Sequence, residues 1–458
     1  MTRRKTASWT SSLAANSTFL EFRLSSGPTF FILPMNDAEI SVQAAGEQDL
    51  TAGNGSYAVL RNRDFLLYLI GRFIASTGQQ MLTMAVLWEL YDRTGSTLNL
   101  GFVGLTQMVP MIVFTLPAGH FADNHNRKRV IVLTTFLIAC WSLVLSLVSA
   151  YRARIFWIYL CLFMIASART FMWAASASFL PRLVPRKNFS RAVTWNSGAF
   201  QLSAIAGPAM AGALIAWTGH HAAPVYALNA LAALSCAILT GLIHQDHVVA
   251  VKENMSVKGL LTGFKFVVAN KIVFGIITLD MFAVLLGGAT ALLPAYAKDI
   301  LQVGPAGLGF LCDALPIGAM ACTFLLAHRP PLRKAGRSLL WAVTVFGLAT
   351  IAFGLSKWFW FSLLMLFLCG AVDNISVVVR HTLVQTLTPD EKRGRVSAIN
   401  NLFISTSNDM GGFESGLVAW FFGTVFSVVS GGIGTILVVV AVALVWPEIR
   451  KYGRLDAP

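Results

Sequence analysis

The sequence is poor in charge. Only 12% of its 458 residues are Asp, Glu, Lys or Arg, whereas 56% are hydrophobic. Soluble globular chains carry about a quarter charged residues, so the composition excludes that class and indicates a polytopic membrane protein. Lys and Arg exceed Asp and Glu by 35 to 21. These basic residues stand in short segments between apolar runs and form no patch interleaved with aromatics, so no nucleic-acid partner is expected.

Motifs of membrane enzymes and ATP-driven pumps are also missing. The sequence has no Gly-rich phosphate loop ending in Lys-Ser or Lys-Thr, so ATP is not expected to be the direct driver. It has no Ser-His-Asp arrangement, no His-x-x-x-x-Asp and no His-Glu-x-x-His. The six cysteines lie inside apolar segments without metal-ligand spacing. We therefore expect neither an enzyme nor a metal or other cofactor.

Twelve apolar runs have about the length that a bilayer demands, roughly 20 residues. They cover residues 65–90, 98–121, 130–150, 155–180, 193–217, 223–243, 272–297, 306–328, 338–355, 358–387, 396–422 and 426–446. The pattern predicts an all-α membrane protein with twelve transmembrane helices.

Lys and Arg predict how the helices are oriented. They are concentrated in every second connection, beginning with Arg127, Lys128 and Arg129, and are sparse in the others. Because basic loops stay in the cytoplasm, both termini are expected there. Three polar segments are expected to be cytoplasmic: a disordered tail over residues 1–60, an interdomain loop over 244–271 and a C-terminal tail over 448–458.

An internal repeat divides the chain into halves. A shift of 204 residues brings five residues of one half onto identical residues of the other. The matched pairs are Pro185 with Pro389, Arg191 with Arg395, Asn196 with Asn400, Gly207 with Gly411 and Gly212 with Gly416. Around the second and eighth runs the best shift is 208. We therefore predict two pseudo-symmetric six-helix bundles, residues 61–243 and 272–447, with a substrate path between them.

A basic hairpin joins the second and third runs. It reads Gly119-His120-Phe121-Ala122-Asp123-Asn124-His125-Asn126-Arg127-Lys128-Arg129. This resembles the signature loop of the major facilitator superfamily, and a short basic cytoplasmic loop of no special function is the alternative. The resemblance implies that Gly119, Asp123, Arg127, Lys128 and Arg129 form a conformational latch between the halves. Asn126 stands where the family usually has Gly, and Asn is the next best residue at positive φ.

Three further segments resemble one branch of that superfamily, which contains the enterobactin exporter and macrolide efflux proteins. They are residues 183–191, 385–400 and 407–416. In the fifth run, Gly198, Gly207, Pro208 and Gly212 resemble a motif associated with exporters. Small residues allow close helix contact, and Pro208 kinks the helix by removing one hydrogen bond.

Charged side chains also fall inside the runs. Each costs at least about 2.5 kcal/mol near the bilayer centre and therefore needs a partner or a wet cavity. The first four are Arg72, Arg169, Asp280 and Asp373, in the first, fourth, seventh and tenth runs. Asp313, Asp409 and Glu414, in the eighth and eleventh runs, are secondary candidates.

The repeat places opposite charges at equivalent positions. Arg169 shifted by 204 meets Asp373, and Arg72 shifted by 208 meets Asp280. The resemblance implies that these four helices line a central cavity. We hypothesise that the arginines face the aspartates across it and that protonation of a carboxylate couples proton flow to the conformational cycle. The alternative is that each charge belongs to a structural pair within its own half.

Together these patterns predict a monomeric transporter in the cytoplasmic membrane. It would export a small amphipathic molecule, drug-like, macrolide-like or siderophore-like, in exchange for protons. The expected partners are the lipid bilayer, the small-molecule substrate and protons. One rival is a proton-coupled importer of a sugar or small organic anion, and a remote one is a membrane sensor that has lost transport.

Overall fold

The computed structural model describes residues 58–244, 264–328, 334–451 and 453. Within these ranges the chain forms helices and turns, without β-strands. Twelve helices have 16 or more residues, and we number them in chain order. They are α1 (Arg63–Thr94), α2 (Thr97–Asn124), α3 (Arg127–Ala150), α4 (Ile155–Leu183), α5 (Phe189–Trp217), α6 (Ala223–Gly241), α7 (Lys271–Leu286), α8 (Gly304–Ala327), α9 (Ala335–Leu355), α10 (Phe359–Leu387), α11 (Asp390–Phe422) and α12 (Thr424–Val445).

These helices confirm the predicted all-α membrane fold. Ten of them are long and apolar enough to cross a membrane, and the other two are α1 and α11. Polar side chains interrupt these two helices, among them Arg72 in α1 and Asp409 in α11. Residues 1–57 of the predicted tail, most of the predicted loop over 244–271 and most of the C-terminal tail beyond residue 451 lie outside the described residues. Residues 58–60, which were predicted to belong to the disordered tail, instead form part of a short helical turn, Ala58–Arg61, in which Val59 is buried.

The seventh span is not one continuous helix, contrary to the run predicted over residues 272–297. Helix α7 ends at Leu286, and short helical segments continue over Ala289–Leu292, Leu293–Ala295 and Tyr296–Ile300. Gly287 and Gly288 occupy the break, and a Cβ atom on Gly288 would lie 2.6 Å from the carbonyl oxygen of Gly411. Glycine therefore lets α11 pack directly against the interrupted backbone.

Asparagine caps begin three of the helices. Asn62, Asn126 and Asn270 each accept hydrogen bonds from two backbone N–H groups in the first turn of α1, α3 and α7. The expectation that Asn126 serves a positive-φ position is wrong, because its φ is −63° and its backbone is extended. Its side chain accepts from the N–H groups of Lys128 and Arg129 at 3.0 and 3.3 Å. Asn is suited to this position as a helix cap.

The two halves pack by the same plan. In the first half, α1 packs against α5 and α6, α3 against α4 and α6, and α2 against α4. Adding six to every helix number gives the extensive contacts of the second half: α7 with α11 and α12, α9 with α10 and α12, and α8 with α10. The halves meet chiefly through α2 with α11 and α5 with α8, which the same operation exchanges. The packing thus has the pseudo-symmetry expected of parallel repeats.

Small residues make the contact between the halves close. Cβ atoms on Gly101 and Gly104 of α2 would lie 3.0 and 2.3 Å from backbone oxygens of Phe413 and Asp409 in α11. On the other side, a Cβ on Gly309 of α8 would lie 2.8 Å from the carbonyl oxygen of Pro208. Helix backbones can approach this closely only where side chains are absent.

The bundle has two chemically different ends. We call the end at which α1 begins and α2 ends the basic end, because Arg127, Lys128 and Arg129 lie there. The other is the opposite end. The contacts just described between the halves all lie in the part of each helix nearer the opposite end, which is therefore where this conformation is closed.

Candidate transport site

A cavity of about 210 Å³ lies within the first half. Helices α1, α3, α4, α5 and α6 contribute its lining. The side chains that give it chemical character are Arg72, Gln79, Gln80, Arg169, Trp173 and Phe200. None of the lining residues is Asp or Glu. Apolar walls with a few convergent polar groups are typical of small-molecule sites, and this one carries two positive charges.

Arg169 connects the cavity to the second half. Its Nη2 donates to Oε1 of Gln107 on α2 at 2.9 Å, and its guanidinium carbon lies 5.5 Å from the centroid of the Trp173 ring. Asp409 of α11 is close enough to interact electrostatically with Arg169. The acid that faces Arg169 in this conformation is thus Asp409, a secondary candidate, instead of the predicted Asp373.

Arg72 has a different environment. Its Nη1 lies 3.4 Å from the sulfur of Met172, and its other close neighbours include Tyr68 and Cys236. Its Nε is buried without a hydrogen-bond partner among the described residues. The structure does not bring Arg72 together with Asp280, the residue expected to face it.

Asp280 forms its ion pair inside the second half. Its Oδ1 contacts Nη1 of Arg380 on α10, and both residues are buried, at 7% and 3% exposure. The alternative of a structural pair within one half therefore describes Asp280 in this conformation. Arg380 was not recognised as a candidate from the sequence. The sequence could have indicated Arg380, because it is a second charge in the tenth run, two helical turns beyond Asp373.

The remaining acids occupy separate positions. Asp373 is half-buried on α10 near Cys369, and Glu414 on α11 accepts from the hydroxyl of Ser415 at 3.3 Å. Asp313 on α8 is buried beside the backbone of Ala209 in α5, and its Oδ1 has no partner among the described residues. Asp313 thus lies at the contact between the halves.

The exporter-like motif divides into parts with different contacts. Gly212 packs against α8, since its Cβ would lie 2.6 Å from the carbonyl oxygen of Pro305. Gly207 packs within the first half, where its Cβ would lie 2.5 Å from Cβ of Gln80. Gly198 has nothing within 4 Å of such an atom. Only the part around Pro208 and Gly212 contacts the other half.

The basic hairpin is tied to its own half. Asp123, in the last turn of α2, lies 3.7 Å from Nη2 of Arg127 at the start of α3. Lys128 donates from Nζ to the carbonyl oxygen of Ile243 at 2.8 Å. Gly119 lies one turn before Asp123, and Arg129 lies one residue past Lys128 in α3. The role of these residues as a latch between the halves stays a prediction.

A buried acid near the end of α1 was missed by the sequence analysis. Glu89 is 6% exposed and accepts from Ser149 at 2.8 Å and Tyr226 at 2.7 Å, and it pairs with Arg93 at 2.6 Å. The sequence did contain an indication of this pair, because Glu followed by Arg four residues later is a favourable ion pair on a helix. The first run was predicted over residues 65–90, and Glu89 at its end was not considered among the charges inside the runs.

Two contacts join the halves at the opposite end. Nζ of Lys298 lies 2.7 Å from Oδ1 of Asp92, and the hydroxyl of Tyr91 donates to Oδ2 of Asp299. We call these four residues the clamp. A shift of 208 residues carries Tyr91 onto Asp299, so the repeat could have indicated that they occupy equivalent positions.

The sequence is similar to that of known transport proteins. The chain is 26% identical over 405 residues to proteins named Enterobactin exporter EntS from Shigella boydii serotype 18 and Escherichia coli O81. The match covers 85% of this chain and 93% of each relative.

Solved transporters share the fold. A bacterial homologue of the human lysosomal transporter Spinster, in an inward-facing and unoccupied conformation, superposes with a TM-score of 0.65 at 14% identity, covering 86% of this chain and 97% of that one. The nucleoside transporter NupG gives a TM-score of 0.65 at 12% identity, covering 85% of this chain and 99% of that one. The profile of the Major Facilitator Superfamily matches residues 68–412. With twelve helices in two equivalent halves and a match over most of its length, the chain belongs to the Major Facilitator Superfamily.

Proposed function

We propose that this transporter exports a small amphipathic molecule in exchange for protons, by alternating access. The observation that carries the proposal is the electrostatic interaction between Arg169, which lines the cavity, and Asp409 of the other half. An anionic group that binds beside Arg169 and a proton that binds Asp409 would both change this electrostatic interaction. Substrate and proton could thereby act on one conformational equilibrium.

Export is supported by the relatives and by the helix contacts. The relatives that match 85% of the chain are named exporters, and enterobactin, the substrate in their name, is a siderophore. Pro208 and Gly212 of the exporter-like motif lie at the contact between α5 and α8. Aromatic side chains in the cavity, Trp173 and Phe200, suit a substrate with flat apolar parts.

Orientation follows from the distribution of Lys and Arg. If the basic end faces the cytoplasm, both termini are cytoplasmic and the conformation described here, closed at the opposite end, is inward-facing. The protein would then act as a monomer in a bacterial-type cytoplasmic membrane. Its cavity would be accessible from the cytoplasm. Protease protection of the termini in sealed vesicles tests this orientation.

The central experiment measures dye efflux from cells that express the protein. Cells are loaded with one cationic and one anionic fluorescent dye, with and without an uncoupler, beside Asp409→Asn and Asp373→Asn variants at matched expression. Exporter activity predicts efflux that stops with the uncoupler and is strongly reduced in Asp409→Asn. Full efflux in Asp409→Asn, or efflux indifferent to the uncoupler, would refute proton coupling through this residue.

Import of a small organic anion is a second candidate function, favoured by the two arginines of the cavity. Purified protein in liposomes distinguishes it from export when a pH gradient is imposed in either direction. A symporter accumulates the solute on the side toward which protons flow, whereas an antiporter accumulates it on the other side. The sign of accumulation under a known orientation therefore decides between them.

A further inference from the structure

We propose that the first-half cavity is a subsite for an anionic group of the transported solute, held by Arg72 and Arg169. This inference rests on the proposed transport function and adds a chemical class to it. The anion would be a carboxylate, sulfonate or acidic phenolate attached to an aromatic or other apolar body. The argument comes from a difference in charge between the two halves.

The second half neutralises the charge at the position equivalent to Arg72. At the position equivalent to Arg72 it has Asp280, and that carboxylate is already paired with Arg380. The repeat shift of 204 residues carries Arg380 back to Ser176, which is neutral. The first half therefore keeps the charge of Arg72 but has no built-in partner at the equivalent place.

The cavity lining shows the same imbalance. It contains two arginines and no acid, and the acid that faces Arg169 comes from the other half. The close neighbours of Arg72 include a thioether, a phenol and a thiol, from Met172, Tyr68 and Cys236. A guanidinium inside a membrane domain needs a wet cavity or a counter-charge, and a bound anion supplies the latter.

The geometry suits a flat anion. Trp173 lies beside Arg169 and is 48% exposed, and Phe200 on the facing helix α5 is 50% exposed. An aromatic ring could pack on these side chains while its acidic group accepts hydrogen bonds from the guanidinium groups, which recognise planar oxyanions well. The volume of about 210 Å³ is below that of a site for a whole drug-sized molecule, so the cavity would hold one acidic part of a larger solute.

The experiment compares two probes that differ in charge. Full-length protein in nanodiscs of neutral phosphatidylcholine is titrated calorimetrically with naphthoate and with naphthamide. The proposal predicts that naphthoate binds at least about tenfold more tightly than naphthamide and that added salt reduces the difference. Because this comparison uses the wild-type protein, it does not depend on any variant folding. Equal affinity for the two probes would overturn the proposal.

Variants then locate the site. In Arg72→Gln and Arg169→Gln the affinity for naphthoate should fall about tenfold or more while that for naphthamide stays within about twofold. Arg72→Lys keeps the charge and should retain part of the preference. Arg337→Gln, an exposed charge at the start of α9, is the matched control and should bind like the wild type. Naphthoate binding that is indifferent to both cavity variants would also overturn the assignment.

A lipid phosphate is the other source of the same chemistry. Repeating the titration in nanodiscs that contain phosphatidylglycerol distinguishes a lipid phosphate from an anionic solute. A headgroup that occupies the cavity would compete with naphthoate, so naphthoate would no longer bind more tightly than naphthamide in these nanodiscs. That result would overturn the assignment to a solute. Dye efflux is measured separately, so discrimination without efflux counts against the proposed export function and leaves the anion subsite standing, whereas efflux without discrimination refutes only the anion subsite.

Discussion

The ammonium group of Lys298 lies 2.7 Å from the carboxylate of Asp92, and this ion pair joins the two halves of the transporter at the opposite end. The neighbouring residues make a second contact, from the hydroxyl of Tyr91 to Asp299. Both contacts must break before the transporter can open at that end. The clamp is thus a determinant of the conformational equilibrium that lies far from the cavity.

Neutralising the clamp should shift that equilibrium modestly. The side chains of Lys298 and Asp92 are 36% and 35% exposed, so solvent screens the pair and its contribution is within about 1 kcal/mol. We expect Asp92→Asn to raise the open population up to about fivefold. Hydrogen–deuterium exchange of residues 296–304 measures it. The swapped double variant Asp92→Lys with Lys298→Asp should restore the wild-type exchange, and failure to do so would show that these charges do not act as a pair.

Steric contacts predict a larger effect for Gly212. An added methyl group would lie 2.6 Å from the carbonyl oxygen of Pro305, so Gly212→Ala must push α5 and α8 apart in the closed conformation. Because interior packing tolerates little overlap, about 1–3 kcal/mol should be lost from this conformation.

Gly198 on the same helix provides the matched control. Gly198→Ala meets nothing within 4 Å and should leave the equilibrium unchanged. Exchange of backbone amides in residues 304–313 reports on both variants. If Gly212→Ala exchanged like Gly198→Ala, the close contact between α5 and α8 would not determine closure at the opposite end.

The sequence predicts the helices well because the bilayer imposes a length and a composition on each of them. Every predicted run corresponds to a helix of the structure, and the ends differ by a few residues except in the seventh run, where the continuous helix ends at Leu286. The break after α7 was missed because apolarity alone does not distinguish a continuous helix from a span interrupted at Gly287 and Gly288. The pair of glycines was visible in the sequence, but the packing of Gly411 against it is a tertiary contact.

Pairings between charges were predicted less well, and the reason is geometric. The repeat places Arg72 and Asp280 at equivalent positions of the two halves, but equivalent positions meet only where both lie near the pseudo-symmetry axis. Asp280 instead faces Arg380 on a neighbouring helix of its own half. Which face of a helix carries a charge toward which neighbour depends on helix rotation, and a nearly uniform apolar pattern leaves that rotation undetermined.

The network around Glu89 should be a stability element of the first half. Glu89→Ala would leave Arg93 without its 2.6 Å partner and remove an acceptor from Ser149 and Tyr226, so we expect a loss of about 3–5 kcal/mol. Tyr226→Phe removes a single hydrogen bond and should cost about 1–2 kcal/mol. Thermal unfolding followed by tryptophan fluorescence compares the two. A stable Glu89→Ala protein that cannot transport would point instead to a direct role for Glu89 in the transport cycle.

Substitutions in the ion pair of Asp280 with Arg380 test whether a buried charge stabilises the structure or couples transport to protons. Removing one partner leaves the other uncompensated inside the membrane domain, so Asp280→Asn and Arg380→Gln should each lose about 3–5 kcal/mol of stability. The double variant leaves no lone charge, and its loss should be smaller than the sum of the two single losses.

Thermal unfolding of the wild type, the two single variants and the double variant measures the interaction energy between Asp280 and Arg380. Proton-driven transport by the double variant tests whether Asp280 has a role in coupling. We expect the double variant to keep its response to a pH gradient, because the proposed coupling acts through the electrostatic interaction of Arg169 with Asp409 and does not involve Asp280. A stable double variant whose transport no longer responds to the gradient would return Asp280 to the coupling role that its position in the seventh run suggests.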